Sequence, residues 1–251
     1  MRTRIDRVSY RSILLLIFTL LQCTYAAEVE PLLTTRWGQR GPYAFYTPKN
    51  ERLGCWSAAI AQILYYHRMQ PSGTVEYAGQ GYSISEDLNY EFHWDLFSDC
   101  LTSSTSQDSR SEVARYCYYT AIAIRKDFAP NKSYKGNSDV RRKGLAECFG
   151  CATRRYSTGH QGIETVKKAI INYLSKKYPL MLYIEGKSGI GHAFVIDGVR
   201  TENGKYEVHL NCGWNGKDNG WYEFERPIKT SYGLFDDPGR WVMILRPGKI
   251  T

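Results

Sequence analysis

The chain has 251 residues, 43% hydrophobic and 23% charged, which fits a globular protein rather than a disordered one and is long enough for one substantial domain or a domain of two lobes sharing a cleft. The formal charge is +8, falling to +5 once the four arginines and one aspartate of residues 1–26 are set aside. No dense Lys/Arg stripe follows, so nucleic-acid binding is not expected.

Arg2, Arg4, Arg7 and Arg11 precede an apolar run from Ile13 to Leu21, and Ala26 and Ala27 follow. This is the order of a secretory signal, with cleavage expected after Ala26 and small residues at Thr24 and Ala26. The run is short for a membrane span. The mature protein, residues 27–251, is therefore expected to be exported, to the periplasm or outside the cell. A rival reading is lipid attachment at Cys23, after Leu20-Leu21-Gln22, which would give the one membrane association expected here.

A loop rich in Gly, Pro and aromatic residues occupies 27–53, and a helix is predicted from Cys55 to His67. Residues 72–109 read as polar and turn-rich. Further helices are predicted over Ser111–Lys126, Ser138–Glu147 and Ile163–Lys177. Strands are then predicted over Leu180–Ile184, Ala193–Gly198, Tyr206–Leu210, Trp221–Glu225 and Trp241–Leu245, with a hairpin turn at Asn203-Gly204. Helices first and an antiparallel sheet second predict an α+β fold, a helical lobe over roughly 36–150 and a β lobe over roughly 151–251.

Gly54-Cys55-Trp56 opens the first strong helix. A thiol there meets unpaired backbone N–H groups and the positive end of the helix dipole, both of which favour the thiolate. The same groups can hold a tetrahedral oxyanion. A buried structural cysteine is the plainer alternative. Gly191-His192-Ala193-Phe194-Val195 places a histidine between a Gly-rich turn and an apolar strand, half exposed at a sheet edge. Asn211-Cys212-Gly213-Trp214 follows the next strand. Asn211 is expected to hold the imidazole of His192, and Trp214 to shield that bond from water. Cys148-x-x-Cys151 is the one compact ligand spacing, so a metal is not expected. A thiol–disulfide role for that pair lacks the usual βαβ surroundings.

Taken together, Leu32-Leu33-Thr34-Thr35-Arg36-Trp37-Gly38-Gln39, Gly54-Cys55, Ala61-Gln62-Ile63-Leu64-Tyr65-Tyr66-His67, Gly191-His192-Ala193-Phe194-Val195-Ile196-Asp197-Gly198 and Asn211-x-Gly213-Trp214-x-Gly216 resemble streptopain-type cysteine peptidases of the papain-like group. The resemblance runs from about Pro31 to Trp241. It implies a papain-like fold, a helical lobe carrying the nucleophile Cys55 and a sheet lobe carrying the base His192, with no cofactor. It implies Gln39 as the oxyanion-hole amide, polypeptide substrates lying extended in the cleft, and a hydrophobic preference at the second residue before the scissile bond. A monomer is expected, with a separate protein inhibitor as one means of control. Two departures stand out. Only residues 27–35 separate the expected cleavage site from Arg36, where the family carries a long propeptide. Cys212 stands where the family commonly has Trp, and a Cys212–Cys55 disulfide is one conceivable switch. A catalytically inactive binding protein on the same fold, and acyl transfer to an amine, remain open alternatives.

Overall fold

Helices dominate the first part of the chain and strands the second. The computed structural model describes residues 28–129, 138–186, 189 and 191–248. The expected signal and Cys23 lie outside the described residues. Helix α1 runs from Cys55 to Tyr66. Its residues from Trp56 to Tyr65 are all buried, as expected of a helix apolar on every side at the centre of a molecule. Helix α2 spans Gln107–Ala123, starting four residues before the expected Ser111 because Ser106 caps it, its hydroxyl accepting from the Ser109 N–H at 3.2 Å. The polar first turn hides that start from a search for apolar spacing. Helix α3 is Ser138–Phe149, and it packs so closely on α2 that a Cβ on Gly144 would lie 1.9 Å from the Ala123 carbonyl oxygen.

Two strands in the segment read as turn-rich, β1 (Thr74–Gly79) and β2 (Tyr82–Asp87), form an antiparallel hairpin. Strand β3 (Cys151–Ser157) follows α3 directly, and then come the short helix α4 (Thr158–Gln161) and α5 (Ile163–Leu174). The remaining strands are β4 (Leu180–Glu185), β5 (Gly191–Glu202), β6 (Lys205–Asn211), β7 (Gly220–Glu223), β8 (Ile228–Thr230), β9 (Gly233–Phe235) and β10 (Trp241–Pro247). The main sheet is antiparallel, in the order β3-β10-β4-β5-β6-β7, while β8 and β9 form a separate hairpin. The expected turn at Asn203-Gly204 joins β5 to β6, with φ of 51° and 75°.

The sheet has a core on each face, and strand alternation assigns its side chains. Met181, Ala193, Val195, Met243 and Leu245 join the core built on α1 and α2. Their neighbours Leu182, Phe194, Ile196, Val242 and Ile244 join the core built on Val166, Ile170 and Leu174 of α5. Helix α1 thus lies against the first face of the sheet, and that contact positions the site.

Candidate active site

Gly54 has φ 84° and ψ 158°, a conformation open to glycine and strained for other residues. It turns the chain so that Cys55 is the first residue of α1, where the backbone N–H has no acceptor within the helix. Burial pushes the Cys55 thiol up from its ordinary pKa. The backbone N–H groups of Ala193, Trp56 and Cys55 itself, and the charge of Arg52, act in the opposite direction. Ala193 directly follows His192. Packing of α1 on β5 therefore brings the thiol beside the strand that carries the expected base.

The imidazole itself is turned elsewhere. His192 is 6% exposed, which corrects the half-exposed edge position expected from the glycines around it. Its Nε2 lies 2.9 Å from the carbonyl oxygen of Cys212. A carbonyl only accepts, so Nε2 carries the proton. The ring packs against Phe194 at 4.5 Å, Trp214 at 4.4 Å and Phe235 at 5.7 Å between centroids. Burial pulls its pKa down to about 4, partly opposed by the bond to Cys212, so the ring is neutral. Among the described residues no hydrogen bond joins Cys55 to His192. The thiol meets the Ala193 side of β5 and the ring the Phe194 side.

Register explains a second correction. Asn211 pairs with Val195, so both side chains lie on the face toward α1. The Asn211 amide donates to the Thr35 carbonyl at 2.7 Å and to Gln62 Oε1 at 2.9 Å, and its Oδ1 accepts from the Gly213 N–H at 3.1 Å. It does not hold His192 in this arrangement. Cys212, one residue on, falls on the opposite face. Its sulfur bonds the Asp218 carbonyl at 3.2 Å, and burial raises its pKa. That orientation removes the conceived Cys212–Cys55 switch. Trp214 does cover the imidazole, as a lid on the ring rather than on an Asn–His bond.

Gln39 is tied to the segment before α1 and to the turn after β6. The Leu53 N–H donates to its carbonyl at 2.9 Å, and its side-chain Nε2 donates to Gly213 O at 3.2 Å. Gly38 lets this loop close on the turn after β6, since a Cβ there would sit 2.2 Å from Asn215 Oδ1. Gln62 is the joint that sequence reasoning passed over. Its Oε1 accepts from the Trp37 N–H at 3.1 Å as well as from Asn211, tying the Gln39 loop, α1 and β6 together. A glutamine seven positions after Cys55, between apolar Ala58–Ala61 and Ile63–Leu64, was the available signal. Cys148 and Cys151 are both buried free thiols, and burial pushes Cys151 up to about 12, which is unsuited to thiol exchange. Among the described residues, no group of three or more His, Cys, Asp or Glu side chains is placed to hold a metal.

Comparison with known proteins places the chain in a family. The Peptidase C10 family matches residues 37–222. Streptopain of Streptococcus pyogenes serotype M1 is 25% identical over 253 residues, covering 85% of this chain and 62% of its own length, so the chain spans less than two thirds of that curated relative. The active wild-type interpain A cysteine protease of Prevotella intermedia superposes with a TM-score of 0.75 at 28% identity, over 87% of this chain and 95% of that one. A prointerpain A fragment from the same organism shares the fold, with a TM-score of 0.71 at 24% identity over 99% of this chain and 86% of that one. The matched span begins in the Gln39 loop, takes in Cys55, His192 and Asn211 and ends in β7, and on that ground the chain belongs to the Peptidase C10 family.

Proposed function

We propose that this chain is an exported cysteine endopeptidase that hydrolyses peptide bonds of proteins through an acyl-enzyme on Cys55. The observation that carries this reading is the placement of the Cys55 sulfur at the start of α1, against the N–H of the residue that follows His192. Turnover requires the imidazole to leave the Cys212 carbonyl and turn toward the thiol. It then takes the thiol proton as sulfur attacks the substrate carbonyl carbon. The C–S bond forms, and the carbonyl π pair moves onto oxygen. The Cys55 N–H and the amide N–H of Gln39 not given to Gly213 hold that charge. Collapse breaks the C–N bond, and the amine leaves with the proton from the imidazolium. Water then gives its proton to His192 and attacks the thioester; the C–S bond breaks and the thiol is restored. Asn211 acts as a positioning residue, locking the end of β6 to α1 through Gln62.

Export rests on the pattern of residues 1–26 and is checked by finding Ala27 at the N-terminus of protein recovered outside the cytoplasm. The chemistry is checked by substitution. Cys55→Ala is expected to lower cleavage of denatured protein by more than about a thousandfold, with the double variant Cys55→Ala/His192→Ala little worse. Substantial cleavage by Cys55→Ala overturns the mechanism. His192→Ala also removes a ring packed on Phe194 and Trp214, so its activity is read beside its unfolding temperature.

A further inference from the structure

A cavity lies at the end of α1 away from Cys55. One wall is the stretch from Leu32 to Thr35 that leads into the Gln39 loop, and the other is the last turns of α1 and the residues just after it, with Gln62, Tyr65 and Arg68. The cavity holds about 220 Å³, more than the roughly 150 Å³ that admits benzene in an engineered protein. Seven residues at about 1.5 Å each put Gln62 roughly 10 Å along the helix axis from Cys55, and Arg68 lies further on.

Two polar groups in these walls lack partners. Arg68 follows the C-cap of α1 with φ 51°, in the left-handed position that favours glycine. Its guanidinium lies 4.2 Å over the Tyr65 ring and 5.5 Å from the centre of Trp94. Among the described residues it has no ion pair and no side-chain hydrogen bond. A guanidinium stacked on an aromatic face keeps N–H donors along its edge. Thr35 is 3% exposed, and its hydroxyl has no hydrogen-bond partner among the described residues. No Asp or Glu among the described residues lines the cavity. The acids that touch its walls are engaged there, Asp197 with the Leu33 N–H at 3.1 Å and Asp99 with the Thr34 hydroxyl at 2.7 Å. Leu32, Leu33 and Tyr65 supply apolar surface.

We infer that this cavity is a second binding site, for a carboxylate carried on an apolar body. The body lies on Leu32, Leu33 and Tyr65, and the carboxylate accepts from Arg68, with the Thr35 hydroxyl as a further donor. A single cation suits a singly charged anion, and the guanidinium fork matches the two oxygens of a carboxylate. Gln62 gives the site its reach. It lines the cavity while its Oε1 accepts from the N–H of Trp37 at 3.1 Å, two residues before Gln39. An occupant braces that contact and so steadies the Gln39 loop. The inference stands apart from the peptidase reading.

The test uses mature Cys55→Ala protein, so that binding is read apart from any cleavage. Two probes are titrated by calorimetry, each against its neutral counterpart: isocaproate against isocaproamide, and acetyl-Leu-Glu-Leu-amide against acetyl-Leu-Gln-Leu-amide. At least one acid should bind about tenfold more tightly than its counterpart at low salt, as a charge-assisted contact gives, and the ratio should shrink as salt screens it. A preference in the first pair alone assigns a free acid, and one in the second assigns an acidic side chain of a polypeptide. Arg68 is exposed, so Arg68→Gln should fold, and it should bring the ratio close to one. Thr35→Val should weaken the acid without lowering the unfolding temperature, since a methyl replaces a hydroxyl that bonds nothing in the protein. The bound acid should also slow amide exchange at Trp37. Acids and neutral counterparts that bind alike or not at all, a preference that survives Arg68→Gln, or binding that leaves Trp37 exchange unchanged would overturn the inference.

Discussion

Asn211 and Cys212 are adjacent and serve opposite faces of the sheet, which decides what each can do. Cys212 is fully buried with its sulfur on the Asp218 carbonyl, so oxidation should produce no Cys55–Cys212 disulfide. In a graded thiol buffer, wild type and Cys212→Ala are expected to lose activity at the same potential; a shifted midpoint in the variant would contradict the observed placement. His192 makes a pH prediction. Its pKa in the folded protein is about 4, below the ordinary value of 6.5. Between these values the unfolded chain binds the proton and the folded one does not, so this group's contribution is complete above about pH 6.5 and lost as pH falls toward 4. Half-buried His67 is shifted down as well, by the same loss of water, and adds to the same trend. Stability measured by denaturant unfolding should therefore decline across that window, and less steeply in His192→Gln. Equal slopes would mean that the imidazole is not buried neutral in solution. The places of Cys55 at a helix start and of His192 near a strand start were legible in the sequence, because each is marked by its neighbours, a glycine before a helix and glycines before an apolar strand. The partner of Asn211 was not, because it depends on which face of β6 meets α1, a matter of register.

At the scale of elements, long apolar stretches could be read and half-polar ones could not. Helices α1 and α5 and strands β4 to β6 carry strong periodicity. The hairpin of β1 and β2 buries little beyond Val75 and Ile84, so its alternation is faint. Strand β3 was hidden because Arg154 and Arg155 interrupt it and because its partner β10 lies at the far end of the sequence. The stretch before the Gln39 loop is held by a device that no local pattern reveals. Residue Val29 exchanges backbone bonds with Val199, the Leu32 N–H donates to the Asp197 carbonyl, and the Leu33 N–H donates to the Asp197 carboxylate at 3.1 Å. The same carboxylate, 1% exposed, lies 2.7 Å from His209 Nδ1. Asp197→Ala strips both groups of their acceptor and is expected to cost about 3 kcal/mol of folding stability. Amide exchange of Val29 and Leu33 should rise more than that of β4. Unchanged protection at Leu33 would show that Asp197 does not fasten the strap.

For the whole molecule, one sheet separates two cores, and the proposed chemistry lies where the start of α1 meets the sheet. This two-lobed arrangement was legible from the order of helices and strands. The direction of the imidazole was not, since it follows from Phe194, Trp214 and Phe235 enclosing a ring that local sequence would leave half exposed. The central claim is that Cys55, assisted by His192, is the nucleophile that attacks the peptide bond and carries the acyl group. The most direct measurement treats the reduced mature protein with a peptidyl diazomethyl ketone, maps the modified residue by mass spectrometry and follows cleavage of a denatured protein in the same samples. The account predicts one adduct, on Cys55, forming in step with the loss of cleavage and much more slowly in His192→Ala. An adduct on another residue, or cleavage that persists after Cys55 is fully modified, would contradict it.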